Sequence, residues 1–295
     1  MPAARTSPNS PPPCSAPPPP RKPCSPSSTA RRRTNSFAAH RSRCWTGGMR
    51  QITDTQLTEF RTQGYVVIPD VLTDEQVAAG RELVAAALDK EPPEDGHVGH
   101  HFAWPRFEDG PHPLLDFYRD TVAALAAELI RPELGVDEPD FAQIATTIPP
   151  WSHRPGGPHV DGVSPLGPDG TPYTFSMLAG VWLTDQEELY HGNLHVWPGT
   201  HLRFGAHLAE RGADALAELA EDTSGAPYPK IELGEQVQAT GPRGSVLFAH
   251  YLLGHNIGGN TGPERRETIY YRLQAHGHRN RWRDVVTDPL VEFRA

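Results

Sequence analysis

His159-Val-Asp161 lies within Pro155-Gly-Gly-Pro-His-Val-Asp-Gly162, where flanking prolines and glycines keep the chain out of a helix. In an extended chain, residues two apart point to one side with Cα atoms about 6 to 7 Å apart, close enough for an imidazole and a carboxylate to meet on one ion. Two imidazoles and one carboxylate on one face of an octahedron leave three positions open, an arrangement suited to non-heme Fe(II) oxygen chemistry. A third ligand is needed, and His255 is the choice. It follows the apolar run Val246-Leu-Phe248 and precedes the turn Gly258-Gly-Asn260, a setting expected at a barrel mouth. A bare His-x-Asp recurs by chance and a single histidine is commonly a hydrogen-bonding residue, so spacing alone leaves the triad open.

Fifteen histidines offer rivals. His191 and His195 have the i, i+4 spacing of a helical zinc site, but Gly192 and Asn193 between them read as a strand entry, so polar packing is expected. His250, five residues before His255, falls on the opposite face if both occupy one strand. His100 and His101 are expected to line a loop.

These side chains need a scaffold, and its first signals are two capping boxes. Thr53-Asp-Thr-Gln56 is flanked by Ile52 and Leu57, and Thr73-Asp-Glu-Gln76 by Leu72 and Val77, each predicting a helix start with a hydrophobic staple. Between them, residues 64–69 read as a short strand ended by Pro69. Residues 91–112, rich in Pro, Gly, Asp and His and including Trp104, read as a long loop of the kind that forms a substrate lid. One amphipathic helix is expected from Leu114 to Ile130, ending before Pro132. Beyond residue 140 the pattern changes to short runs separated by Gly and Pro: 141–148, 175–183, 193–197, 245–252 and 268–273. They predict an antiparallel sandwich or barrel, interrupted by one helix around residues 207–220.

Composition narrows the function classes. Residues 1–48 contain 11 of the 32 prolines, eight of the 27 basic residues, none of the 36 acidic residues and all three cysteines. Such a segment builds no core, and the expectation is a disordered tail or a mis-assigned start upstream of Met49. Residues 49–295, expected to form a single domain, then carry 19 basic against 36 acidic residues, a formal charge of −17. Nucleic acid is disfavoured as a partner. Without cysteine, this stretch has no disulfide framework, thiolate zinc site or cysteine nucleophile. No run reaches the roughly 18 apolar residues of a membrane span, and a cytoplasmic monomer or homodimer acting on a small molecule is expected.

The ordered motifs resemble the phytanoyl-CoA dioxygenase family over roughly residues 56–275. They are residues 60–69, Leu72-Thr-Asp-Glu-Gln-Val77, His159-Val-Asp161, Gly192-Asn-Leu-His-Val-Trp-Pro-Gly-Thr-His201 and Gly244-Ser-Val-Leu-Phe248 leading to His255. The resemblance implies a mainly β fold with flanking helices around a double-stranded β-helix, a cupin-like jelly roll. It implies Fe(II) on His159, Asp161 and His255, with 2-oxoglutarate as cosubstrate and O2 as oxidant. Arg266, following Asn260, matches the residue that anchors the cosubstrate carboxylate, and Trp182 matches a residue beside it. A guanidinium suits that role physically, offering a two-pronged donor and balancing charge. Arg265 must face the other way, and if Arg266 points inward so do Thr268, Tyr270 and Arg272.

The implied reaction is hydroxylation of a small metabolite or natural product at an unactivated C–H bond, with desaturation, cyclisation or epoxidation open to the same site. Asp161, in place of a small residue that would admit halide, argues against a halogenase. A non-catalytic jelly-roll binding protein and a cupin-like enzyme using another metal are the alternatives.

Overall fold

The computed structural model describes residues 51–107, 111–222, 224 and 227–295. The proline-rich segment expected to be a tail lies outside the described residues. Both capping boxes form. Thr53 begins α1 (Asp54–Gln63) and Thr73 begins α2 (Asp74–Leu88), each hydroxyl accepting from the glutamine N–H three residues on while that glutamine side chain accepts from the threonine N–H. Between them runs β1 (Tyr65–Ile68).

The main sheet has six antiparallel strands in the order β1-β7-β4-β9-β3-β2, formed with β2 (Gly99–Ala103), β3 (Gln143–Ile148), β4 (Met177–Trp182), β7 (Val246–His250) and β9 (Arg266–Leu273). A second sheet, order β6-β5-β8, joins β5 (Leu194–Val196) to β6 (Val237–Gln238) and β8 (His255–Ile257). Together they make an antiparallel jelly roll flanked by helices. Alternation divides each strand between two cores. Met177, Ala179 and Val181 of β4, with Ile269, Tyr271 and Leu273 of β9, pack with Phe60, Val84, Phe117 and Leu125 of the helices. Leu178 and Trp182, with Tyr270, belong to the interior cluster that includes Val160, Phe175, Val196 and Leu247.

Three expectations need correction. Residues 91–112 are not one loop, because Gly99–Ala103 form β2, an edge strand paired with β3 in the register His100 opposite Thr147 and Phe102 opposite Ala145. An edge strand bonds on one side only and needs no apolar alternation, which hid it. The helix expected through Ile130 is two, α3 (Pro113–Thr121) and α4 (Ala123–Leu129), separated at Val122. Its apolar positions are nonetheless buried. The helix expected near residues 207–220 starts earlier, as α5 (Thr200–Arg211), and Gly212 at φ 91° separates it from α6 (Ala215–Glu218). A last helix, α7 (His278–Thr287), buries His278, Trp282, Val285 and Val286, an i, i+4, i+7, i+8 pattern diluted in sequence by its arginines.

Candidate metal centre

His159 and His255 stand directly opposite one another. Each backbone N–H donates to the other's carbonyl, at 2.9 Å from His159 and 3.3 Å from His255, so both side chains leave on one face with ring centroids 4.5 Å apart. Gly254 permits the approach, since a β-carbon there would fall 2.9 Å from Pro158 Cβ and 3.1 Å from Tyr228 Cζ. Asp161 comes to the same side: its Oδ1 lies 3.3 Å from His159 Nε2 and 3.8 Å from His255 Nε2. One donor atom from each of the three residues lies within 4.8 Å of the others, and this is the one such His/Cys/Asp/Glu group among the described residues. Adjacent ligands of a first-row metal bound at about 2.1 Å stand roughly 3 Å apart, so the donors fit a facial triad with little adjustment.

Electrostatics prepare these groups to ligate. Burial pushes His255 down to about 4, helped by the neighbouring His159 and Arg272 and opposed by Asp161 and the Leu253 carbonyl. It is therefore neutral near pH 7. Its Nδ1 lies 3.0 Å from that carbonyl, so a proton there leaves the Nε2 lone pair turned toward Asp161. Burial pulls Asp161 up, but Arg272, His159 and His255 hold it well below the usual carboxylate range. Arg272 Nη2 donates to Asp161 Oδ2 at 2.6 Å.

Arg266 begins β9 and is buried, its Nη2 donating to the Tyr270 hydroxyl at 2.6 Å and its Nε to Gln186 Oε1 at 3.4 Å. Arg265 turns outward to Glu267. Tyr270 and Arg272 face the interior with Arg266, as strand parity predicts. Thr147 is Arg266's cross-strand partner and Trp182 is Thr268's. Thr147 Oγ1 and Trp182 Nε1 are both buried without a hydrogen-bond partner in the chain. A basic fork beside a tyrosine hydroxyl, with unsatisfied polar atoms on the same sheet face, fits a polar dianion.

Among the described residues, the other histidines do not join the donor group. His250 ends β7 with Nε2 2.7 Å from the Pro289 carbonyl, in contact with Phe60 and Phe293. His250 and His255 do not share a strand, because a turn separates β7 from β8. His195 is buried on β5, and His191 forms an isolated antiparallel bridge with Asn260. Of the pair expected in a loop, His100 is on the inward face of β2 beside Trp151, while His101 Nε2 meets the Glu91 carbonyl at 2.8 Å. Sequence reasoning anticipated the inward side of Arg272 but not its contact with Asp161.

A jelly roll with an imidazole, carboxylate and imidazole converging inside it is the architecture of the non-heme iron, 2-oxoglutarate-dependent oxygenases. The family model for phytanoyl-CoA dioxygenase matches residues 60–268, which span all three candidate ligands and Arg266. The chain belongs to that family and is an enzyme of that class. Among solved structures it is similar to the non-heme α-ketoglutarate-dependent carbocyclase SnoK from nogalamycin biosynthesis, at 21% identity and TM-score 0.50, over 78% of this chain and 90% of that one. It is also similar to HygX from Streptomyces hygroscopicus with nickel and 2-oxoglutarate bound, at 17% identity and TM-score 0.49, over 77% and 88% of the two chains. No curated protein matches it in sequence. No helix among the described residues is long and apolar enough to cross a membrane.

Proposed function

We propose that this chain binds Fe(II) through His159, Asp161 and His255, anchors 2-oxoglutarate on Arg266 beside Trp182, and uses O2 to hydroxylate an unactivated C–H bond of a small metabolite or natural product. The observation that carries the reading is the convergence of three donor atoms within 4.8 Å, two of them from buried histidines, inside the jelly roll that also buries Arg266. Iron, when bound, supplies the redox chemistry that activates oxygen.

The chain's own groups hold and shield. His255 offers a neutral imidazole, Asp161 a carboxylate, and Arg266 a planar donor pair for the distal carboxylate of the cosubstrate. His100 and Phe102 line the inward side of β2, and with Trp104 just beyond it and with Phe141 and Phe175 they give an aromatic wall that keeps water from the reacting carbon. The segment from Glu91 to His112 thus serves the substrate through a strand rather than a free lid. Such a wall suits a small organic substrate.

The test is succinate release over a metabolite panel, dependent on both Fe(II) and 2-oxoglutarate, with products read by mass. A gain of one oxygen marks oxygen insertion, as hydroxylation or epoxidation, whereas loss of two hydrogens marks desaturation or cyclisation. Succinate release that persists without Fe(II) would refute the reading. A non-catalytic binding role is opposed by the complete donor set.

A further inference from the structure

The two oxygens of Asp161 have different neighbours. Oδ1 faces the Nε2 atoms of His159 and His255, at 3.3 and 3.8 Å, while Oδ2 accepts from Arg272 Nη2 at 2.6 Å. The guanidinium making that contact is itself enclosed. Its Cζ lies 5.0 Å from the Trp104 ring centroid and 5.7 Å from those of Phe141 and Phe175, aromatic faces from three separate segments of the chain. Both side chains of the pair are only 13% exposed. Arg272 Nη1 is buried without a partner, and among the described residues the guanidinium's hydrogen bond goes to Asp161.

We propose that Arg272 is a positioning residue for the metal centre: by occupying Oδ2 of Asp161 it leaves Oδ1 as the one oxygen presented to the ion. This rests on the metal reading above. Three protein donors leave three positions on an octahedron. A carboxylate free to turn can bind through both oxygens, which would consume one of the positions that a two-pronged cosubstrate and oxygen require. A carboxylate whose second oxygen is committed to a rigid, aromatic-walled guanidinium is prevented from doing so, and its orientation is fixed before any ion arrives.

Electrostatics and positioning predict opposite signs, which makes the inference testable. If Arg272 acts only as a nearby positive charge, its removal strengthens cation binding. If it positions Asp161, its removal weakens binding, and loss of an orienting partner of this kind costs roughly 10- to 100-fold in metal affinity.

The experiment uses the full-length protein under anaerobic conditions and measures Fe(II) affinity by competition with a chromophoric chelator in wild type, Arg272→Met and Arg272→Lys. The expected result is roughly 10- to 100-fold weaker binding in Arg272→Met and partial recovery in Arg272→Lys, which keeps the charge and a donor but not the planar fork. The d–d absorption of the Co(II)-loaded protein is expected to change in Arg272→Met, a readout that a purely structural ion pair would not move. Equal or tighter Fe(II) binding by Arg272→Met, or an unchanged Co(II) spectrum, overturns the inference. Should Arg272→Met fail to fold, Arg272→Lys decides alone, and wild-type affinity in that variant overturns it. Wild-type protein that takes up no Fe(II) sinks the metal reading and this inference with it. Uptake by wild type with undiminished uptake by Arg272→Met sinks this inference only.

Discussion

Gly192 lies against the stem of Arg266: a β-carbon added to the glycine would fall 2.8 Å from Arg266 Cβ and 2.9 Å from its Cγ. The glycine also sits at φ 83°, where an L side chain is strained. Gly192→Ala is therefore expected to displace Arg266 and weaken 2-oxoglutarate binding by about tenfold or more, as a misplaced charge-assisted hydrogen bond would, while Fe(II) affinity stays near wild type. Anaerobic calorimetry with each ligand in turn checks this, and equal loss of both would count against it.

Arg266→Gln removes the charge but keeps a polar side chain. Hydrogen bonds to charged groups contribute about 1.5 to 3 kcal/mol, so 2-oxoglutarate affinity is expected to fall roughly 10- to 150-fold. Arg265→Gln, on the outward side beside Glu267, is the matched control and should leave that affinity unchanged. If the two variants behave alike in the same calorimetric assay, Arg266 is not the anchor.

How much of this was legible in the chain differs with the range of the contacts involved. The capping boxes of Thr53 and Thr73 are complete within four residues, so sequence alone predicted them. Strand parity correctly assigned Arg266, Tyr270 and Arg272 to one face because it is also local. The edge strand β2 was hidden because Gly-His-His-Phe-Ala lacks an apolar alternation and takes its bonds from β3, more than 40 residues away in sequence. The contact between Arg272 and Asp161 spans 111 positions and depends on how the sheet closes.

Acid stability should depend on His201. Burial pushes this histidine down to about 4, against a partial gain from the Arg61 carbonyl. The folded value lies below the unfolded one near 6.5, so the unfolded chain binds the extra proton first, and stability present above pH 6.5 is lost as pH falls toward 4. The slope from this one group approaches about 1.4 kcal/mol per pH unit. Urea unfolding of wild type and His201→Gln at several pH values between 4.5 and 7 should show a shallower slope in the variant. Parallel curves would contradict the assignment.

The carboxyl terminus is held by a fully buried carboxylate. Glu292 accepts from Ser176 Oγ at 2.5 Å, from Arg281 Nη2 at 3.0 Å, and has His278 Nδ1 at 2.9 Å. Removing one partner from a buried charged group costs about 3 to 5 kcal/mol, so Glu292→Ala should lower the melting temperature markedly. Metal stoichiometry of the folded fraction should not change. A variant that melts like wild type would show that the clasp contributes little.

The central claim is that His159, Asp161 and His255 hold iron in a pocket that also takes 2-oxoglutarate. Its most direct test is anaerobic titration of the metal-free protein with Fe(II) and then 2-oxoglutarate, followed by visible absorption. Wild type is expected to develop the charge-transfer band of the iron-bound 2-oxoacid at one equivalent of each, and His159→Ala to develop none. No band in wild type, or an undiminished band in His159→Ala, would contradict the assignment.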